Sequence, residues 1–129
     1  MLFRRCLTFA LVAATTLSGC QRLTYENSVK VPPFGVHRIE FDPPKYAQKL
    51  TVEAHSPGSP ISVYIVRQEE SSAAQEQLEN DKKPNAPLAS MDKSEDITLE
   101  ASVPAKTAFV LLIRAEKKTA EVRVKVTGR

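Results

Sequence analysis

The chain reads TAFVLLIRA at residues 107–115 and, after the polar link EKKTA at 116–120, EVRVKVT at 121–127. The first stretch is apolar at nearly every position, the signature of a strand covered on both faces. In the second, Val122, Val124 and Val126 alternate with Arg123, Lys125 and Thr127, the period of a strand with one face in a core and the other in water. A helix would scatter those valines around its circumference, so this part of the chain is β. The short polar link predicts that the two strands pair antiparallel.

Working outward, the same alternation recurs. Leu50, Val52 and Ala54 oppose Thr51, Glu53 and His55, and Ile61, Val63 and Ile65 oppose Ser62, Tyr64 and Val66. Between them lies Ser56-Pro57-Gly58-Ser59-Pro60, turn chemistry that forbids a helix and predicts a hairpin or a tight β-arch. Ile97, Leu99 and Ala101 alternate across residues 96–102, and a further strand is expected over 36–41. Six short strands about ten residues apart predict an all-β, antiparallel β-sandwich of six to seven strands. A closed barrel is the lesser alternative, because six strands leave unpaired edges more readily than they close.

Residues 68–95 interrupt the pattern. They hold seven acids and three lysines, a net of −4, with Leu78, Leu88 and Met91 as their large apolar residues. Ser72-x-x-Gln75 has the form of a capping box, and Pro84 cannot continue a helical ladder. The stretch reads either as a long acidic loop or as that loop carrying a short helix to about Asn80. As a loop, it predicts that residues 70–93 can be replaced by a Gly-Ser link with the sandwich intact. Residues 20–35, polar and stiffened by Pro32-Pro33, read as a tether, which leaves residues 36–129 as the domain and 68–95 as its insert.

The N-terminus carries an address. Arg4 and Arg5 precede an uncharged apolar run at residues 6–17, followed by Ser18, Gly19 and Cys20, the secretory layout. The run is too short to cross a bilayer, which takes about 20 residues. Leu17-Ser18-Gly19-Cys20 resembles the lipobox of bacterial lipoproteins. The resemblance implies a signal peptide over residues 1–19 recognised at Leu17, Ser18 and Gly19, fatty-acyl chains on Cys20, and cleavage before it. Two or three chains anchor stably where one does not. Gln21 after the cysteine, by the same resemblance, favours the outer membrane over the inner. The expected location is a membrane of the cell envelope, facing periplasm or exterior.

Removing Arg4 and Arg5 with the leader lowers 18 Lys and Arg to 16, against 15 Asp and Glu, so the mature side chains sum to +1. That balance does not suggest nucleic-acid binding. Cys6 leaves with the leader, so the mature chain has no cysteine pair to oxidise.

Chemistry is sparse. The histidines are His37 and His55; Glu53 and His55 share a strand face, but two ligands are too few for zinc. Gly-x-Ser-x-Gly, a glycine-rich phosphate loop and Cys-x-x-Cys are absent. No catalytic residue, metal site or cofactor is expected, and the chain reads as a non-enzyme. The one patterned surface is basic: Arg123, Lys125 and Arg129 point one way, with Arg114 expected nearby on the partner strand. Such cations guard a strand edge or meet an anionic lipid or polymer.

Residues 50–66 and 103–128, with a V-x-V strand, a long variable loop and a V-P-A-x step at Val103-Pro104-Ala105-Lys106, resemble the bacterial pre-peptidase C-terminal domain and related jelly-roll modules. The Asp-x-Asp-Leu step of that family is missing, so the resemblance implies an accessory sandwich and no ion or substrate contacts. The expected function is a membrane-anchored, non-catalytic module binding another envelope component. The alternative is a structural or stress-tolerance lipoprotein that binds anions through Arg123, Lys125 and Arg129.

Overall fold

The computed structural model describes residues 23–85 and 87–129. The segment expected to be a signal peptide, residues 1–19 with Leu17, Ser18 and Gly19, and Cys20 lie outside the described residues. Eight strands and one helix follow in the order β1 (Leu23–Val31), β2 (Val36–Phe41), β3 (Gln48–His55), β4 (Ile61–Arg67), α1 (Gln68–Glu79), β5 (Ala89–Ser94), β6 (Asp96–Val103), β7 (Phe109–Ala115) and β8 (Ala120–Gly128). They form two four-stranded antiparallel sheets, one ordered β1-β8-β3-β6 and the other β2-β7-β4-β5. This is a β-sandwich with the eight-strand, two-sheet layout of a jelly roll.

One face of each strand fills the space between the sheets. Val122, Val124 and Val126 of β8 meet Leu50, Val52, Ile61, Val63, Ile65, Phe109, Leu111 and Ile113 there. Phe41 and Phe109 stack at 4.8 Å between ring centres, with Tyr25 edge-on to Phe41 at 5.4 Å. The continuous apolar runs of β4 and β7 have a second cover. Tyr64 and Val66 of β4 and Val110 and Leu112 of β7 turn outward and pack beneath Ala74 and Leu78 of α1.

Four sequence expectations give way. First, β7 and β8 do not pair: β7 lies between β2 and β4, whereas β8 lies between β1 and β3. The link at 116–120 crosses from one sheet to the other, because β7 needs an apolar cover on both sides and β8 on one. The 56–60 link is likewise an arch between sheets. Gly58 adopts φ 75° there, and its N–H donates to Glu95 Oε1 at 2.8 Å. Second, much of the expected tether is β1, paired with β8 from Leu23↔Gly128 to Val31↔Ala120.

Third, the reading of residues 68–95 as a loop gives way: the alternative short helix is present as α1, ending beside the expected Asn80, and β5 follows it. Helix α1 begins four residues before the expected capping box, directly after β4, with no side-chain cap. Ser71, Ala74 and Leu78 form its buried stripe. It ends in a Schellman turn: Asp81 N–H donates to Leu78 O at 3.0 Å and Lys82 N–H to Gln77 O at 2.7 Å. Asp81, at φ 59°, takes the left-handed position usual for glycine. Fourth, β8 is not an edge strand, so Lys125 has no edge to guard.

Antiparallel order fixes two poles. Leu23, the 42–47 and 104–108 links and Arg129 share one end. The 32–35, 56–60 and 116–119 links and the end of α1 share the other. No helix among the described residues is long and apolar enough to cross a membrane.

Candidate functional site

A polar cleft of about 250 Å³ opens at the pole opposite Leu23, on the helix-bearing sheet. Ser62 and Tyr64 of the central strand β4 line it, with Asp92 and Lys93 of β5 on one side of that strand, Arg114 of β7 and Glu116 on the other, and Asp81, Lys82 and Lys83 from the end of α1. Local irregularities aim these groups. The β4–β5 register shifts between Ile61 and Val63, so β5 carries one extra residue around Asp92 and Lys93. Lys93 takes φ 52°, and its N–H donates to Ser62 Oγ at 3.2 Å. A bulge of this kind redirects a side chain; here Asp92 accepts the Tyr64 hydroxyl proton in a short hydrogen bond and pairs with Lys83 Nζ at 3.0 Å.

These partners polarise each other. Burial, and then the Asp92 carboxylate, raises the Tyr64 pKa well above the usual phenol range. The Tyr64 hydroxyl, with Lys83 behind it, holds Asp92 below the usual carboxylate range against the opposing effect of burial. The depressed Asp92 stabilises the fold fully above its unfolded value near 4, and that share is lost as pH falls through the folded value. The raised Tyr64 acts in the opposite sense: its share is full below about pH 10 and is lost as pH climbs further. Urea midpoints should therefore fall at both extremes. In Tyr64→Phe the alkaline loss should vanish and the acid loss shrink, since Asp92 loses its main donor. Identical pH profiles for the variant and wild type would show that the pair does not couple to folding.

Arg114 is the buried cation of the cleft, with a side chain 10% exposed. Nη2 reaches Asp81 Oδ1 at 3.3 Å and Nη1 reaches Glu116 Oε2 at 3.4 Å. Its buried Nε has no hydrogen-bond partner among the described residues. The guanidinium lies 5.8 Å from the ring centre of Phe34, an aromatic residue left 56% exposed. An exposed aromatic thus stands beside a buried arginine at the mouth of a polar cleft, two residue types enriched in protein interfaces.

The basic residues singled out in the sequence are not assembled here. Arg123 and Lys125 are on the outer face of the other sheet, and Arg114 is not on a strand paired with theirs. Lys125 stands between Glu26 of β1 and Glu53 of β3, and Arg123 between Ser28 and His55. Cross-strand carboxylates offset much of that stripe's charge. Arg129 is at the Leu23 pole. His55 does not act with Glu53; its Nδ1 lies 2.7 Å from Asp96 Oδ1. Among the described residues no group of three or more His, Cys, Asp or Glu side chains is placed to hold a metal. Sequence reading missed Arg114, Tyr64 and Asp92 as a group. The usable signal was a lone arginine inside the apolar TAFVLLIRA run, a charge that needs partners if buried.

No protein-family model matches the chain, and no curated protein matches it. Among solved structures it is similar to the Yersinia pseudotuberculosis-derived mitogen, with a TM-score of 0.53 and 11% identity over 83% of this chain and 85% of that one. At that identity the likeness speaks for the fold alone.

Proposed function

We propose that this chain is a lipid-anchored, non-catalytic binding module of the bacterial cell envelope, and that its Phe34–Arg114 pole meets another envelope component. The observation that carries the reading is one of placement. The lipobox-like Leu17-Ser18-Gly19-Cys20 stands just ahead of a sandwich whose first strand starts at Leu23, so an anchor on Cys20 leaves the cleft at the opposite pole. The Tyr64–Asp92 pair serves to hold the cleft wall, with both groups engaged by each other instead of being poised to move a proton.

In cells given a radioactive fatty acid, the wild-type chain should take up label and stay with membranes, whereas Cys20→Ser should do neither. A photo-reactive residue at Phe34 should give a discrete adduct in intact cells, and one at Lys125 on the flank should not. An unlabelled wild-type chain found free after fractionation sinks the anchor. Equal adducts from Phe34 and Lys125 sink the assignment of the binding pole.

A further inference from the structure

We infer that the Leu23 pole is itself a membrane-contact surface, built to lie on an anionic lipid layer. This rests on reading Cys20 as the anchor and extends it from a point of attachment to an orientation of the domain.

Reach comes first. Three chain steps separate Cys20 from Leu23, at most about 11 Å when extended. A sandwich held that closely cannot keep its nearest pole out of the headgroup layer, so the composition of that pole matters. Its segments at 42–49, 67–70, 104–108 and 128–129 carry Lys45, Lys49, Arg67, Lys106 and Arg129 against Asp42, Glu69 and Glu70, five minus three or +2. The opposite pole, at 30–35, 55–60, 79–83, 93–96 and 116–121, has six cations and six acids, a sum of zero. Two of the three acids at the Leu23 pole, Glu69 and Glu70, lie on α1, to the side of the helix-bearing sheet. Apart from the start of α1, Asp42 alone opposes Lys45, Lys49, Lys106 and Arg129 among these segments.

The backbone that carries the cations is tied down. Lys106 N–H donates to Pro44 O at 2.7 Å, tying the 104–108 turn to the link that carries Lys45 and Tyr46. Lys49 and Arg129 exchange backbone hydrogen bonds at 2.8 and 3.2 Å, and both line a hollow of about 270 Å³ beside Leu23. Tyr46, 62% exposed at the same pole, adds an apolar ring with a polar tip, the side chain that favours a membrane–water interface. Charge excess, an interfacial aromatic and a short leash converge on one occupant, an anionic lipid surface. Each such cation near the surface strengthens association several-fold at physiological salt.

The mature chain makes the test direct, because its sequence holds no tryptophan and its one cysteine is Cys20. The chain starting at Cys20 is coupled through that thiol to a maleimide lipid in vesicles, which supplies an anchor whether or not cells acylate it. Tyr46→Trp provides a probe at the near pole and Phe34→Trp one at the far pole, roughly 30 Å away along the nine-residue β1. In vesicles containing phosphatidylglycerol, the Tyr46→Trp emission should shift to shorter wavelength and be quenched by brominated lipid, and the Phe34→Trp emission should do neither. Replacing Lys45, Lys49 and Lys106 with Gln should return the Tyr46→Trp signal to its level in uncharged vesicles, as should salt near 1 M, where screening leaves each charge a reach of about 3 Å. Equal quenching of the two probes, or quenching indifferent to anionic lipid, would overturn the inference. The fatty-acid label reports separately on the anchor, so the two readings can fail independently.

Discussion

Deleting residues 70–93 and closing the gap with a Gly-Ser link should yield a chain that no longer folds. The cut removes most of α1 and of β5. Tyr64, Val66, Val110 and Leu112, all buried, lose the cover that Ala74 and Leu78 give them. At about 1.5–3 kcal/mol for each buried apolar side chain, their exposure forfeits roughly 6–12 kcal/mol. Compactness of the unfolded chain trims that figure. A whole domain is stable by only about 5–15 kcal/mol, so the loss is of the order of the total. Shortening a loop returns little, since halving its length gains about 0.6 kcal/mol. Loss of β5 also leaves β4 as an unpaired edge with an apolar outer face, an invitation to aggregate. Circular dichroism with a urea titration checks this. A cooperative transition at the wild-type midpoint would mean that α1 and β5 contribute nothing to the core.

The contrast between what the residues announced and what they concealed follows from where each segment's free energy comes from. β2, β3, β4, β6, β7 and β8 are legible because each buries an apolar series, and local alternation, or in β7 an unbroken apolar run, records that burial. β1 carries the same record more faintly: Leu23, Tyr25, Val29 and Val31 alternate, but Asn27 breaks the series and the prolines behind it look like a linker. β5, reading ASMDKS, has no series at all. It exists because β4 offers it a ladder, and a bulge spends one of its residues on aiming Asp92. The start of α1 is hidden for a related reason. Its first turn has no side-chain cap and is held by Gln68 N–H donating to Ala108 O at 3.0 Å, a bond between residues forty positions apart. Pairing fails where link length was the guide, yet the burial patterns held the answer. A strand apolar on both faces and a strand apolar on one belong to sheets with different numbers of covers. The cleft was illegible because Arg114, Tyr64 and Asp92 come together through the crossing of the chain between sheets, which no spacing in the sequence reports.

Arg114→Ala should lower stability by about 2–3 kcal/mol, and Arg114→Met by about 1 kcal/mol. Two effects compete at this position. If the buried charge dominated, removing it would strand its partners at a cost of about 3–5 kcal/mol, the usual result of breaking a buried ion pair from one side. Here the partners are not stranded. Asp81 is 87% exposed and Glu116 25% exposed on their side chains, so water takes over most of what the guanidinium supplied. The buried Nε without a partner is itself a cost that either substitution relieves. What remains is the buried aliphatic stem of Arg114 itself, beside the end of α1, which Met retains and Ala deletes. At about 4–8 °C per kcal/mol for a domain of this size, the melting temperature should drop by roughly 10–20 °C in the alanine variant and by no more than about 8 °C in the methionine variant. Equal losses in the two would assign the role to the charge and not to the stem. Binding should divide differently: both variants lose the cation beside Phe34, so both should lose the adduct formed at that residue in cells, even though the methionine variant keeps most of its fold. A methionine variant that still forms the adduct would take Arg114 out of the recognition surface and leave it as packing alone.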